Sequence, residues 1–513
     1  MRCLLPFLVG LFATCLLHGA TPYSPPRFID PDRVRRLRAV LPRLDALYEA
    51  HAASNHIPGF VYGVVVDGEL VHRHASGVAE VASGRPVTVS TRFRIASMSK
   101  SFTAAAILRL RDAGKLSLED PVSRHLPEFR RVKPPSSDSP TVTIRHLLRM
   151  SGGFPQDDPW GDRKLAETDA QLEALVREGL TFSNPPGIRW EYSNLGYTLL
   201  GRIVTRVARM PYQRFVTREI LRPLGMTNTV YEIDAVPASE LALGYRWQDG
   251  AWLAEPMLHD GAWGAMGGMV TTLDDFARYA AFHLDAWPPR DGVEAAPLSR
   301  ATRREMHRPW EVVSVPNDLV DLEGKPVARV AGYSTGLSWN QDSRNVVWVR
   351  HAGGLPGFGS EFRFLPDHGV ALIAFGNRTY APMTAANIQA MEVLLGAARL
   401  PARTVVPSPI LEQRAAQLAR LLRDWDSSAD RGALASNFFL DHPESEWRRR
   451  CAEWLAKTGP VVEVTPLIAD NQLRGRFRLR GEGGSIEVFL TLMPEKDPKV
   501  QEVTLKFLEA GSK

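Results

Sequence analysis

SMSKSFTAAAILRLRDA, residues 97–113, runs from a serine through an apolar-rich stretch to Gly114, a residue that ends helices. The stretch predicts a helix that opens on a hydroxyl at Ser97 and carries an amine at Lys100. Three residues apart on a helix, the two side chains share a face roughly one turn apart. A serine becomes a nucleophile only with a base in hydrogen-bond reach, and this spacing supplies one. Taken alone the pattern is weak: a chain of this length holds roughly two S-x-x-K spacings by chance, and an isolated serine there reads as a helix N-cap.

Working outward, residues 59–66 and 70–77 are β-rich and flank Asp67-Gly68, a pair that tolerates the positive φ of a tight hairpin turn. Before them, residues 32–52 carry Val34, Leu37, Val40, Leu41, Leu44, Leu47 and Tyr48 at helical spacing, which predicts an amphipathic helix on a larger body. A second strand pair, 361–365 and 370–375, flanks Pro366-Asp367-His368-Gly369 and leads into a long helix over 383–400. Between these ends the pattern is helical at 144–150, 195–208 and 272–283. The layout predicts an α+β fold: an antiparallel sheet built from both ends of the domain and flanked by helices, with an all-α subdomain inserted between.

The chain has 513 residues, 44% hydrophobic and 23% charged, too long for one core and too apolar for disorder. Residues 1–20 combine Arg2, an uncharged apolar run from Leu4 to Leu17 and a small-residue end, His18-Gly19-Ala20, and read as a secretory signal peptide. The expected location is therefore periplasmic or secreted, without a membrane span; the residues before Cys15 fit a lipoprotein cleavage site poorly. Cys451 alone remains after such a cleavage, so no intrachain disulfide is available. The main domain, 21–400, is expected to end in a proline-containing linker over 401–410. A small α+β domain follows over 411–513, with helices at 411–425 and 445–457 and strands at 461–468, 473–480, 485–493 and 500–508. Within it Arg474, Arg476, Arg478 and Arg480 alternate with Leu473, Phe477 and Leu479, either a solvated strand face or a docking face for an anionic surface. The formal charge of +5 is spread without a Lys/Arg block in the main domain, which argues against nucleic acid as a partner.

Two further motifs share the main domain. Tyr192-Ser193-Asn194 follows Pro185-Pro186-Gly187 and enters the helix at 195, where Asn194 would serve as an N-cap. His351-Ala352-Gly353-Gly354 follows the β-rich run 346–349, and its glycines permit close approach of another backbone or a substrate. Each alone has an ordinary structural explanation.

Together, in this order, Ser97-Met98-Ser99-Lys100, Tyr192-Ser193-Asn194 and His351-Ala352-Gly353 resemble the three active-site motifs of the serine β-lactamase-related superfamily, which includes class C β-lactamases, D-alanyl-D-alanine carboxypeptidases and D-aminopeptidase-like hydrolases. Residues 143–148 with Ser151-Gly152-Gly153, Pro186-Gly187, Gly196-Tyr197, Leu200-Gly201, Gly267-Gly268, Thr271-Thr272 and Asp274-Asp275 extend the likeness, so that it covers about residues 35–400. The resemblance implies an acyl-enzyme on Ser97 and a cleft between sheet and helical subdomain. It implies an oxyanion hole from the backbone N–H groups of Ser97 and Gly354, with Asn194, His351 and Gly353 orienting the substrate. Lys100 and Tyr192 handle the protons: a cationic Lys100 would favour a Tyr192 phenolate as base, and the reverse assignment stays open.

His351 stands where many β-lactamases of that superfamily have Lys, which weakens the expectation of binding a substrate carboxylate. Hydrolysis of a small amide or ester, a D-amino-acid peptide, an ester or a β-lactam-like compound is the expected chemistry, with a carboxypeptidase, D-aminopeptidase or esterase favoured over a potent β-lactamase. The alternative is a non-catalytic sensor of peptidoglycan or β-lactams. No H-E-x-x-H, phosphate-binding glycine loop or other cofactor signature occurs, and the C-terminal domain is a candidate for cell-wall or protein contact. Loops 156–167 and 312–330 are expected to shape the pocket.

Overall fold

The computed structural model describes residues 23–294, 296–426 and 428–510, so the expected signal peptide lies outside the described residues. The chain divides into two compact units, one spanning Phe28–Ala402 and the other joining the residues up to Arg27 to Arg403–Lys513. Residues 23–27 therefore belong with the second unit rather than the first. Arg27 exchanges backbone hydrogen bonds with Thr404, and Gln472 bonds the backbone of Ser24.

In the larger unit the labelled elements are α1 (Arg33–Ser54), β1 (Gly59–Val66), β2 (Glu69–Glu80), β3 (Arg85–Pro86), α2 (Ser99–Asp112), α3 (Ile144–Leu148), α4 (Asp169–Glu178), α5 (Asn194–Ala208), α6 (Gly264–Gly267), α7 (Leu273–Leu284), β4 (Glu311–Ser314), β5 (Arg329–Tyr333), β6 (Ser338–Asp342), β7 (Val347–Leu355), β8 (Phe358–Leu365), β9 (Val370–Gly376) and α8 (Met383–Glu392). The strands form one sheet in the order β3-β2-β1-β9-β8-β7-β6-β5-β4, every pairing antiparallel. Strand β1, from the start of the domain, lies beside β9 from its end, with Gly63 opposite Ile373. Asp67 and Gly68 in the β1–β2 turn both have positive φ, 51° and 88°, the backbone that an Asp-Gly hairpin turn requires.

Both faces of the central strands are covered, so β1, β8 and β9 are buried along their whole length. Tyr62, Val64 and Leu372 pack with Leu37, Leu44 and Tyr48 of α1 and Met391 of α8. On the opposite face Val61, Phe362 and Ile373 pack with Phe276 and Tyr279 of α7 and Phe102 of α2. Helices α2–α7 all fall between β3 and β4 in the chain and share the second core, but the insertion is not all-α as expected: Tyr245–Gln248 forms a hairpin with Ala251–Ala254, and Phe93–Arg94 pairs with Val270–Thr271.

In the smaller unit Ser408 caps α9 (Pro409–Arg423) by accepting the Leu411 N–H, and Pro409 sits at the first helical position, where its missing N–H costs nothing. The helix thus begins inside the span expected to be linker. Helix α10 (Glu444–Thr458) follows, then β10 (Glu463–Val464), β11 (Ile468–Asn471), β12 (Arg474–Gly481), β13 (Gly484–Leu492) and β14 (Val500–Glu509). The strand expected over 461–468 is interrupted: Pro466 has no N–H to give the ladder, and the chain pairs only on either side of it. The four arginines of β12 point away from Phe477 and Leu479, and each lies beside a carboxylate: Asp470 serves Arg474 and Arg476, Glu487 serves Arg478 and Glu463 serves Arg480. That pairing removes the argument for an anionic docking face. Cys451 is buried and free. Among the described residues no helix is long and apolar enough to cross a membrane.

Candidate active site

Ser97 does not cap α2. It sits in a single 3₁₀ turn, Ala96–Met98, just ahead of the helix. Ala96 holds φ at +48°, a backbone that an L-residue with a Cβ adopts at a cost of order 1–3 kcal/mol unless its surroundings enforce it. The surroundings do. Ser99 Oγ donates to the Ala96 carbonyl (2.7 Å), Ser360 Oγ of β8 donates to the Ile95 carbonyl (2.8 Å), and the Ile95 N–H donates to the Met269 carbonyl (3.1 Å). Gly353 of β7 packs directly on the same turn. A Cβ there would lie 2.2 Å from the Ile95 carbonyl oxygen and 2.4 Å from Ser360 Oγ, so only glycine fits without displacement.

Lys100 is fully buried and its three ammonium protons have three acceptors: Ser97 Oγ (2.9 Å), Asn194 Oδ1 (2.6 Å) and the Met266 carbonyl (2.9 Å). Burial pulls its pKa down to about 8, while the charges of Asp158, Asp162 and Asp157 oppose that fall. Tyr192 lies over the same amine, with Lys100 Nζ 4.9 Å from its ring centre, and its phenol interacts with the Ser97 side chain. Enclosure pushes that phenol well above its ordinary value; the contact with Ser97 pulls the other way without reversing it. The expected Tyr192 phenolate is therefore disfavoured, and of the two groups Lys100 has the pKa nearer to neutrality.

Asn194 is the first residue inside α5 rather than its cap. Ser193 takes that place, accepting the Gly196 N–H (3.0 Å), and the Asp157 carboxylate receives the backbone N–H groups of Asn194 (2.6 Å) and Leu195 (2.7 Å). This frees the Asn194 amide to bridge. Its oxygen accepts from Lys100, and its Nδ2 donates to Asp158 Oδ1 (2.5 Å) and Asp162 Oδ1 (3.3 Å). Asp162 is buried and takes a further bond from the Tyr380 hydroxyl (2.9 Å); burial and the Asp158 charge raise its pKa to about 7.

A cavity of about 510 Å³ opens over Ser97. Tyr192, His351, Gly353 and Gly354 line it, whereas Lys100 and Asn194 lie buried below its surface. His351 is only 4% exposed, and burial first, then the Lys100 charge, lowers its pKa to about 3, so it is neutral rather than partly charged. Its Nδ1 lies 2.5 Å from the Ala352 carbonyl oxygen. That oxygen can only accept, so the proton is on Nδ1 and Nε2 presents a lone pair.

Asp157, Asp158, Asp162, Trp190, Tyr333 and Tyr380 were not singled out from sequence. Asp158 and Asp162 do lie in loop 156–167, which was expected to shape the pocket, and the paired acid Asp157-Asp158 within it was the signal for them. Segment 312–330 contributes no residue to the cavity. Among the described residues Glu232, Asp234 and His259 are close enough to share a cation, and none of them lines it.

A family model described as "Beta-lactamase" matches residues 44–395. Curated relatives include "Protein flp" of Staphylococcus aureus, strain COL, 28% identical over 346 residues, which are 66% of this chain and 64% of the relative. "Beta-lactamase-like protein 2" of Dictyostelium discoideum is 28% identical over 371 residues, 70% of this chain and 62% of the relative. The match to each thus spans less than two thirds of the relative's own length. Among solved structures, the octameric penicillin-binding protein homologue from Pyrococcus abyssi aligns with a TM-score of 0.60 at 20% identity, over 92% of this chain and 96% of that one. The D-alanine carboxypeptidase AmpC from Burkholderia cenocepacia aligns with a TM-score of 0.54 at 20% identity, over 70% of this chain and 99% of that one. At these identities the two structures establish the fold.

Proposed function

The chain belongs to the beta-lactamase family, and from that premise we propose that it is a serine hydrolase that forms an acyl-enzyme on Ser97 and acts on a small amide or ester. The observation that carries the reading is the buried Lys100 amine, 2.9 Å from Ser97 Oγ and lowered to about 8. At pH 7 about a tenth of such an amine is neutral and able to take the serine proton.

The groups divide the work as follows. Neutral Lys100 takes the proton from Ser97, whose oxygen attacks the carbonyl carbon. The oxyanion that forms is stabilised by the backbone N–H groups of Ser97 and Gly354, worth a few kcal/mol in a water-poor site. As the tetrahedral species collapses, the Lys100 proton passes by way of the Tyr192 hydroxyl to the departing amine or alkoxide, which returns Lys100 to its neutral form. Water then attacks the ester carbon, with Lys100 and Tyr192 moving the protons in the reverse sense, and Ser97 is released. Asn194 holds Lys100 and offers its amide to the substrate, and Gly353 keeps β7 close enough for the Gly354 N–H to serve. Export directed by residues 1–20 belongs to the same proposal.

The test is to incubate the protein separately with a penicillin, a p-nitrophenyl ester and a D-alanyl-D-alanine peptide, following adducts by intact mass and turnover by absorbance or amine release. An adduct or turnover that Ser97→Ala abolishes supports the reading. If wild type and variant are equally inert and an aryl phosphonate fails to label Ser97, the chain is a binding protein on this fold.

A further inference from the structure

The geometry points to an ammonium subsite in the wall of this cavity: Asp158, backed by Asp162, receives a positively charged amino group of the substrate, so that the preferred substrates are amides or esters of amine-bearing acids. The inference rests on the hydrolase reading above and names its substrate class.

Three observations lead to it. Asp158 is exposed in the cavity lining and Asp162 is buried beside it. Asn194 Nδ2 spends its two protons on one oxygen of each, and the Tyr380 hydroxyl takes the second oxygen of Asp162. Asp158 is thus the member of the pair that the cavity reaches, and an incoming N–H donor would meet its carboxylate. Second, the Lys100 amine is not available to a substrate carboxylate, since it is committed to three acceptors. Arg350, the one Lys or Arg of the lining among the described residues, stands 3.8 Å from Glu361, which Arg363 also holds at 2.7 Å.

Third, His351 Nε2 is buried, has no hydrogen-bond partner and belongs to the same lining. As a lone pair it asks for an N–H or O–H from the ligand. Asp158, Asp162 and His351 do not converge closely enough to share one metal ion, which leaves an organic cation with several N–H donors. Trp190, Tyr192 and Tyr333 also line the wall, and aromatic rings favour a cation.

The test uses a series of ω-aminoacyl p-nitroanilides from glycyl to 6-aminohexanoyl, with both enantiomers of alanyl p-nitroanilide, each beside its N-acetyl form. For wild type, kcat/KM for the free amine should exceed that of the N-acetyl form by about tenfold or more at one or more chain lengths. Asp158→Asn should bring that ratio toward one, and Asp158→Glu should retain it. In the wild type, n-butylammonium should slow phosphonate labelling of Ser97 while butyrate does not, a readout that needs no variant. A ratio near one at every length, a ratio that survives Asp158→Asn, or protection by butyrate but not butylammonium overturns the inference. Phosphonate labelling separates the two claims: a labelled Ser97 without discrimination overturns the ammonium subsite alone, and an unlabelled Ser97 overturns the hydrolase reading and this inference with it.

Discussion

Replacing Asp158 and Asp162 together by asparagine should move the pH dependence of Ser97 reactivity to lower pH. The perturbation is nearly isosteric: each new amide keeps one carbonyl oxygen to accept from Asn194 Nδ2, and at position 162 the new NH2 group takes the second oxygen's place and donates to the Tyr380 hydroxyl oxygen. What changes is charge. The Asn194 amide is all that separates Lys100 Nζ from the two carboxylates, which puts Asp158 and the ammonium about 6 Å apart. At that distance and an effective dielectric of ~40, suited to a pair with one exposed partner, Coulomb's law gives about 1.4 kcal/mol, or about one pH unit for each charge removed. A negative charge stabilises the protonated amine, so the loss of two lowers the Lys100 pKa, from about 8 towards about 6. Asp157, neutral His351 and the phenols of Tyr192 and Tyr197 also face this amine and are left in place. The assay is the second-order rate of labelling by an aryl phosphonate between pH 5 and 10, which needs no knowledge of the substrate. Wild type should rise about tenfold per pH unit and level off near pH 8. The double variant should level off about two units earlier, and Tyr192→Phe should keep the wild-type midpoint at a lower plateau. A wild-type limb that climbs past pH 10 would refute Lys100 as the base, and an unmoved or upward-shifted limb in the double variant would refute the electrostatic coupling.

Gly353→Ala forces a methyl against the Ile95 carbonyl and Ser360 Oγ, so it should cost about 1–3 kcal/mol in urea denaturation and lower phosphonate labelling disproportionately, because the displaced turn carries Ser97; unchanged labelling would count against the wedge. Glu361→Gln leaves the fully buried Arg363, now 2.7 Å from that carboxylate, without its counter-charge, and should destabilise the protein by about 3–5 kcal/mol in the same assay. His283 is buried and held neutral, its pKa lowered to about 3, so the unfolded chain binds a proton that the fold refuses between about pH 6.5 and 3. Its contribution is therefore full above pH 6.5 and falls by about 2 kcal/mol by pH 5; the stability gap between wild type and His283→Leu should narrow by that amount from pH 7 to 5, and a constant gap would show that His283 is protonated in the fold.

The periodic parts of this protein were legible because local pattern and burial agree. Val61, Val65, Ile373 and Phe375 face one core and Tyr62, Val64, Leu372 and Ala374 the other, which is why β1 and β9 read as continuous apolar runs. The Asp67-Gly68 turn was legible for the same reason: the residue types announce the backbone they tolerate. The electrostatic character of the site was not. Nothing local says that Asp162 is buried, that His351 is neutral, or that the Tyr192 phenol is pushed up, since each follows from neighbours supplied by distant segments. Even the cap of α5 depends on one: Asp157, thirty-odd residues upstream, takes the first two N–H groups and releases Asn194 to bridge Lys100 and the acids.

That dependence on distant segments bears on how the nucleophile is made. An ammonium taken from water without partners costs several kcal/mol, and Lys100 avoids that cost only while all three of its acceptors are in place. Ser97 comes from the turn before α2, Asn194 from the start of α5 and the Met266 carbonyl from α6, while β7 and β8 clamp the Ala96–Met98 turn through Gly353 and Ser360. No single helix or hairpin of the larger unit holds the amine dry by itself. The desolvation that brings Lys100 to about 8 is therefore a product of the complete domain, and under the proposed mechanism admitting water to the amine would return it towards an ordinary lysine and lower the reactivity of Ser97.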